Sequence, residues 1–146
     1  MQAKFEDNPA VTSNFLCIVP GIGRLNAADI GELREAIIGV ERPDGVMLSS
    51  GEFKATETEM SFVLNKRDPM IAILFRWREA AKAGKGYERS MTVAYNESDG
   101  EPTAVLEVGR CWPMEHAFPQ LSRKNPEVAL YKVKFSVYDL RPLFPQ

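Results

Sequence analysis

The chain has 146 residues, a length that predicts a single domain with a sizeable hydrophobic core. Its composition, with 45% hydrophobic residues, 26% charged residues and a net charge of -2, excludes a disordered chain and a polybasic nucleic-acid binder. No apolar run approaches the roughly 18 residues of a membrane-spanning helix. Residues 1–14 lack the apolar segment of a secretory signal, so we expect neither a span nor a leader.

The N-terminal residues 1–13 are polar and without periodicity, so we expect an arm that becomes ordered by contact with something else. Residues 14–146 are then predicted to form one domain. Its first element is a buried strand in the apolar run 14–19, which ends at Pro20.

A long hairpin is predicted next. Residues 34–41 have the composition of a strand, and residues 46–48 begin the return strand. Between them, Arg-Pro-Asp-Gly at 42–45 is typical of a turn, because proline presets φ and glycine accepts a positive φ.

Residues 53–64 alternate as a long strand after a break at Ser49–Gly51. The two faces differ in chemistry, because residues two apart point the same way. One face is apolar towards its end, with Met60, Phe62 and Leu64. The other face is acidic at its centre, with Glu57, Glu59 and Ser61.

One helix is predicted to follow. Asp68 can cap it, Pro69 suits its first position and Gly84 suits its end. Its apolar side chains share one stripe, which includes Leu74 and Trp77. The segment from residue 66 to residue 89 has seven basic and three acidic residues, so the helix is basic. The basic side chains that lie mostly off the apolar stripe are Arg76, Arg78, Lys82 and Lys85.

The remaining segments predict strands over 89–95, 103–112 and 127–139, with no ladder in the proline-containing tail. Without alternating strands and helices, the fold class is mainly β, a β-sandwich or small barrel with one flanking helix. Eight residues are predicted to form its core: Met60, Phe62, Leu64, Leu74, Trp77, Tyr131, Val133 and Phe135.

No motif predicts an enzyme, a cofactor or a metal site. The glycines at 21–23 and 84–86 complete neither a dinucleotide-binding nor a phosphate-binding motif. With a single histidine, His116, the chain lacks the residues for a multi-histidine zinc site. Cys17 and Cys111 leave two readings open, reduced thiols near the core or a crosslink within or between subunits, because the distance between them decides.

The order of these segments resembles the tail-tube proteins of contractile-tailed bacteriophages, a family related in fold to the type VI secretion tube protein. The resemblance covers roughly residues 14–140 and rests on the order of the segments. The matching segments are the opening strand and turn at 14–22, the hairpin at 36–64, the helix at 68–80, Cys111-Trp112-Pro113, and the strand at 127–139.

The resemblance implies a structural virion protein that forms hexameric rings, which stack into a hollow tube. Hairpins of each subunit would join a large inner β-barrel, and the helix would pack outside. The tube would lie inside a contractile sheath in the virion tail, after assembly in the host cytoplasm. Implied partners are further copies of the chain, the sheath protein, baseplate or tube-initiator proteins, and viral DNA that passes without specific binding.

Electrostatics add expectations to this resemblance. A DNA conduit works best with a wall that repels phosphates, so we expect Glu57, Glu59 and Ser61 to face the lumen. The basic helix residues named above would face the sheath, and the arm and the 42–51 loop would make contacts between rings. Cys17 and Cys111 would be candidates for a disulfide between subunits.

Two alternatives remain. A baseplate or tail-terminator protein of the same fold would cap the tube rather than build it. A monomeric β-sandwich binding module is the other alternative, and the long amphipathic hairpin argues against it because a monomer would leave this hairpin exposed.

Overall fold

The computed structural model describes the backbone of residues 10–64, 69–97, 102–124 and 128–143. Within them the protein is mainly β with one helix, as the sequence predicts. The elements in chain order are β1 (Ala10–Val19), β2 (Gly23–Arg24), β3 (Asp29–Ile30), β4 (Glu35–Glu41), β5 (Met47–Ala55), β6 (Thr58–Val63), α1 (Met70–Ala83), β7 (Arg89–Glu97), β8 (Pro102–Ala117), β9 (Leu130–Ser136) and β10 (Asp139–Leu143).

The main sheet has the strand order β2-β1-β7-β8-β9-β6-β3, and its neighbours are antiparallel. The 16-residue strand β8 joins its two halves. The first part of β8 lies between β7 and β10, and residues 112–117 pair with β9. At the change of neighbours, Arg110 has a φ of 49° and the ladder to β7 shifts register. This bulge bends the strand, so the sheet curls into two layers.

A single core lies between the two layers. Val19, Met91, Val93 and Val108 come from the first layer and pack in one cluster with side chains of the second layer and the helix. Seven of the residues predicted for the core are buried in this cluster: Met60, Phe62, Leu74, Trp77, Tyr131, Val133 and Phe135.

Leu64 is the exception and corrects the prediction, because it is 38% exposed. It follows the last residue of β6, and its N–H donates to the carbonyl of Ala129 at 3.0 Å. Its side chain therefore lies beyond the end of the sandwich, although the alternating pattern of the strand places it on the core face.

The helix α1 begins at Met70, and no side chain among the described residues caps it. The predicted cap, Asp68, lies outside the described residues. Trp77 anchors the buried face, with its indole N–H donating to the carbonyl of Tyr87 and its ring 5.4 Å from that of Phe135. Gly84 ends the helix as predicted, with a φ of 75°.

Several element boundaries differ from the prediction. Strand β1 begins at Ala10, so residues 10–13 belong to the sheet and not to an arm, while residues 1–9 lie outside the described residues. The strand predicted over 53–64 breaks at residues 56–57, where the N–H of Thr56 donates to the carbonyl of Arg34. The hairpin leaves the body of the domain at this break.

The tail forms a strand that the sequence analysis did not predict. Strand β10 pairs with β8 from Asp139 to Leu143, although it contains Pro142. Proline is tolerated here because β10 is an edge strand within the described residues. The N–H of Leu140, two residues earlier, is bound at 2.8 Å by the Glu35 carboxylate.

We predict that Gly84→Ala lowers the free energy of unfolding by about 1 kcal/mol, measured by chemical denaturation. A Cβ at Gly84 would meet no atom within 4 Å, so the cost comes from the left-handed backbone alone. Gly84→Asn is the matched control and should lose less, because asparagine tolerates this conformation. Equal losses would contradict a backbone cause.

Candidate assembly surfaces

The β4–β5 hairpin stands apart from the main sheet, because its strands form a separate two-stranded sheet. Its turn is the predicted one: the N–H of Gly45 donates to the carbonyl of Arg42 at 2.9 Å, and Gly45 has a φ of 88°. The Arg42 guanidinium holds the pKa of the Asp44 carboxyl below its usual value. A compact, charge-paired tip thus closes the hairpin.

The hairpin exposes an unusual amount of apolar surface. Every residue of β4 is exposed, and so is every residue of β5 except Ala55. Ile37 reaches 69% exposure. We call the exposed apolar side chains of this hairpin the hairpin surface, and they are Ile37, Ile38, Val40, Val46, Met47, Leu48 and Phe53. A two-stranded hairpin is marginal alone in water, and so many exposed apolar side chains on one hairpin indicate an interaction surface.

Contacts at its base orient the hairpin. The Glu35 carboxylate binds the N–H of Leu140, and the ring of Phe53 meets Tyr138 edge to face at 5.6 Å. The Arg110 guanidinium in turn lies 5.1 Å from the centre of the Tyr138 ring. The base of the hairpin is therefore held by β10 and by Tyr138, which directly precedes β10. The rest of the hairpin projects from the body of the domain.

The predicted lumen-facing residues have different environments. Glu57 and Glu59 are exposed. Glu59 stands opposite Lys134 in the register of β6 and β9, and Lys134 lies 3.5 Å from the carboxylate of Glu115. With Lys132 also exposed on β9, this face of the sheet carries both signs of charge and is not purely acidic.

The structure corrects the predicted lumen-facing position of Ser61, because this residue is 4% exposed and cannot line an open surface. Its hydroxyl is 2.8 Å from a carboxylate oxygen of Asp29, to which it donates a hydrogen bond. Strand β3, which pairs with β6 at this point, covers it. The alternating pattern of one strand does not reveal this cover, since it comes from another segment.

The basic residues of α1 also divide into two groups. Arg76, Lys82 and Lys85 are exposed, and Lys82 lies 3.7 Å from a carboxylate oxygen of Glu79. Arg78 is half-buried, and its Nε has no hydrogen-bond partner among the described residues. The outward-facing basic surface predicted from the sequence therefore consists of three residues, with Arg78 turned partly inward.

The two cysteines are buried free thiols, which is the first of the two readings that the sequence leaves open. Burial raises the pKa of Cys17 and that of Cys111 to about 12, and the proximity of Cys111 contributes to the Cys17 value. The Cys111 thiol lies 3.1 Å from the carbonyl of Arg89. A crosslink between subunits requires a sulfur at the surface, and neither residue provides one.

An aromatic cluster that the sequence analysis missed lies at the end of β8. Phe75 of the helix, His116, Phe118 and Tyr131 form it, with ring centres 5.1 to 5.8 Å apart. The Nδ1 atom of His116 is 2.9 Å from the Tyr131 hydroxyl. The cluster was missed because β8 was predicted to end at residue 112, five residues too early.

The cluster should make stability depend on pH. Desolvation, followed by the charges of Arg78 and Lys82, lowers the pKa of His116 from 6.5, and Glu79 opposes this. The folded state thus favours the neutral imidazole of His116. The contribution of this residue to the free energy of unfolding is therefore complete above pH 6.5, and it is lost as the pH falls through the pKa that His116 has in the folded protein.

We predict that the melting temperature of the wild type falls more between pH 7.5 and pH 5 than that of His116→Gln. The other titratable groups are the same in both proteins. The difference between their two decreases in melting temperature therefore isolates the effect of the histidine. Parallel curves for the two proteins would contradict the assignment.

Comparison with known proteins gives a consistent picture of the fold. Neither a protein-family model nor a curated protein sequence matches the chain. Among solved structures, a chain of the PVC sheath–tube complex, an extracellular contractile injection system, matches with a TM-score of 0.76 and 11% identity. The match covers 99% of this chain and 100% of that one.

Two further structures show how widely this fold is used. A chain of the anti-feeding prophage tube-terminating cap matches with a TM-score of 0.76 and 13% identity, covering 99% of this chain and 94% of that one. The SPP1 tail tube matches with a TM-score of 0.62 and 8% identity, covering 94% and 80%. The class is thereby defined: this chain has the fold shared by contractile injection tubes and phage tail tubes.

The described residues contain no cluster of three or more histidine, cysteine, aspartate or glutamate side chains placed to hold a metal ion. No helix among them is long and apolar enough to cross a membrane.

Proposed function

We propose that copies of this chain form hexameric rings that stack into the inner tube of a contractile tail. The observation that carries this proposal is the hairpin surface, a set of large apolar side chains projecting from a domain whose core is already complete. The fold shared with contractile and phage tail tubes supports it.

Assembly explains why the hairpin can be stable. Its two strands have unpaired outer edges among the described residues, and a closed barrel built from many copies removes such edges. Burying the hairpin surface between copies also supplies the apolar contacts that a lone hairpin lacks. The chain therefore acts as a structural building block in this proposal, without a catalytic role.

The lumen of the proposed tube conducts DNA, and Glu57 and Glu59 line it. Lysines on the same sheet face would hold phosphates if they were uncompensated. Here Lys134 has Glu115 at 3.5 Å and Glu59 opposite it in register, so carboxylates offset its charge. A wall of this kind lets a polyanion pass without being retained.

The outer surface of the tube includes the exposed basic residues of α1, Arg76, Lys82 and Lys85. In the proposal they face an acidic surface of the sheath protein. Baseplate or tube-initiator proteins are the other partners, and the tube belongs to the virion tail after assembly in the host cytoplasm.

A terminating cap is the second candidate function. The match to the anti-feeding prophage cap is as good by TM-score as the match to the sheath–tube complex. A tube subunit forms rings that stack without limit, whereas a cap forms rings that never stack. Electron microscopy of the purified protein separates the two.

We predict that Val40→Ser with Leu48→Ser abolishes ring formation and leaves the fold intact. Both side chains are exposed and face each other across β4 and β5, so the change removes apolar contact surface and no core packing. Negative-stain microscopy and sedimentation velocity measure the assembly. Met114→Ser, which changes a residue exposed to 37% outside the hairpin, is the control.

Rings from the double variant at wild-type yield would overturn the role of the hairpin. A wild-type protein that stays monomeric at all concentrations would overturn the proposed function itself.

We further predict that Glu59→Gln with Glu115→Gln makes assembled tubes retain double-stranded DNA. The substitutions remove the two carboxylates beside Lys134 and leave its charge uncompensated on a face that also carries Lys132. Affinity should therefore rise about tenfold or more at low salt and fall steeply as salt is added. Co-sedimentation of DNA with tubes measures this effect. Glu88→Gln is the control, because Glu88 pairs with Arg110 outside this face. Unchanged retention would contradict a lumen position for these residues.

A further inference from the structure

We propose that helix α1 and the end of β8 form a binding site for a phosphate-like oxyanion, either a free ion or a group carried on an apolar body. We call it the oxyanion site. Its cations are Arg78 and Lys82 of the helix, and the ring of His116 packs against the same helix. The inference concerns the single domain, so it goes beyond the proposed tube function and does not depend on it.

The helix places both cations on the side that meets β8. Phe75, Arg78 and Lys82 lie three and four residues apart, and therefore within about 60° of one another around the helix axis. The ring of Phe75 meets the ring of His116 edge to face at 5.7 Å, which fixes this side of α1 against the end of β8. Arg76 lies on another side of the helix, about 100° from Phe75.

Arg78 is a partly buried cation without an acidic partner. Its Nε is buried and has no hydrogen-bond partner among the described residues. No salt bridge between described residues includes Arg78, whereas Lys82 lies 3.7 Å from a carboxylate oxygen of Glu79. A buried donor without an acceptor is costly. An oxyanion supplies the acceptor, because a guanidinium group binds phosphate and carboxylate oxygens through parallel hydrogen bonds.

The charges that act on His116 are positive in sum. Desolvation lowers the pKa of His116 most, and the charges of Arg78 and Lys82 lower it further. Glu79 is the one helix carboxylate that opposes them. From β9 the ring faces Tyr131, whose hydroxyl lies 2.9 Å from Nδ1 and whose pKa is raised by burial, so it is neutral at pH 7. An anion would balance the remaining positive charge.

An exposed aromatic ring adjoins these cations. The ring of Phe118 lies 5.3 Å from that of His116 and 5.8 Å from that of Phe75, yet Phe118 is 56% exposed. The buried Tyr131 supports it from behind at 5.1 Å. A phosphate group on an aromatic body can therefore place its charge against Arg78 and its ring against Phe118.

Strand β9 separates the oxyanion site from the charged face that we propose for the lumen. Tyr131 is buried on one face of β9, whereas Lys132 and Lys134 alternate with it and point to the other face. Glu59 and Glu115 accompany Lys134 on that second face. The two sites can therefore be tested independently.

The first test uses the single histidine of the chain, because one imidazole signal then reports on the site. His116 is titrated by NMR in chloride and in sulfate at equal ionic strength, on protein without a histidine tag. Sulfate serves as a phosphate analogue that keeps its charge throughout the titration. Sulfate should raise the pKa of His116 by about 0.5 or more, since a bound anion stabilises the imidazolium. Equal pKa values in the two salts would overturn the inference.

Two exposed neighbours provide variants with opposite expected effects. Lys82→Gln should weaken sulfate binding about threefold or more, and Glu79→Gln should strengthen it by a similar factor, because each removes one charge beside the anion. Arg78→Gln should abolish the effect of sulfate on His116. Arg76→Gln, which removes a cation from another side of the helix, is the control.

Circular dichroism verifies that each variant is folded. A gain of affinity in Glu79→Gln cannot come from damage to the structure, so the pair of exposed variants keeps the test decisive even if Arg78→Gln loses the fold. Sulfate affinities that stay unchanged in both exposed variants would overturn the inference.

Two phosphate compounds then identify the source of the oxyanion. Inorganic phosphate and phenyl phosphate are titrated at constant pH, and the shift of the His116 signal gives the two dissociation constants. Phenyl phosphate that binds about tenfold tighter or more assigns the site to a phosphate carried on an apolar body, because burial of the phenyl ring adds to the affinity. Equal affinities assign it to the free ion, and binding of neither compound would overturn the inference. The proposed function is tested separately by microscopy and is unaffected by either result.

Discussion

The arrangement of this protein depends on one constraint: its apolar side chains exceed what its own core can bury. The two sheet layers and the helix complete a core from Cys17 to Val137 without any contribution from β4. The β4–β5 hairpin thus keeps its large apolar side chains in water until another surface covers them. Because hydrophobic burial provides most of the free energy of association, this surplus would provide the driving force for the assembly proposed above.

The bend in β8 makes possible both the buried core and the exposed apolar side chains of the hairpin. One strand serves both layers, since its first part pairs with β7 and β10 and its second part pairs with β9. The bulge at Gly109 and Arg110 sits where the partners change, and a Cβ at Gly109 would lie 1.8 Å from a carboxylate oxygen of Asp139. Glycine at this position therefore leaves room for the carboxylate of Asp139 at the start of β10, and β10 in turn holds the base of the hairpin.

Local patterns in the sequence predicted the elements whose causes are local. The alternation of Tyr131, Val133 and Phe135 gave one buried face of β9, and the glycines at 45 and 84 occupy the positive-φ positions expected of them. The patterns failed where a distant segment decides. Ser61 is covered by β3 and Leu64 falls beyond the end of its strand, although both continue an unbroken alternation.

The candidate assembly surfaces divide in the same way, into features with local causes and features that depend on distant segments. The hairpin could be predicted because turn chemistry and strand composition both lie within residues 34–64. The aromatic cluster could not, because it brings together the helix, the end of β8 and the start of β9. For Cys17 and Cys111 the sequence leaves burial near the core and a crosslink both open, since spacing along the chain carries no information on the depth of either sulfur.

The outer edge of β10 offers few free hydrogen-bond donors to the strand of another molecule. Pro142 lacks an N–H and the carboxylate of Glu35 occupies that of Leu140, so a stray strand finds few donors there. This side of β10 is therefore a poor template for strand pairing between two copies of the chain. The same carboxylate that secures the hairpin thus also acts as a guard against misassociation.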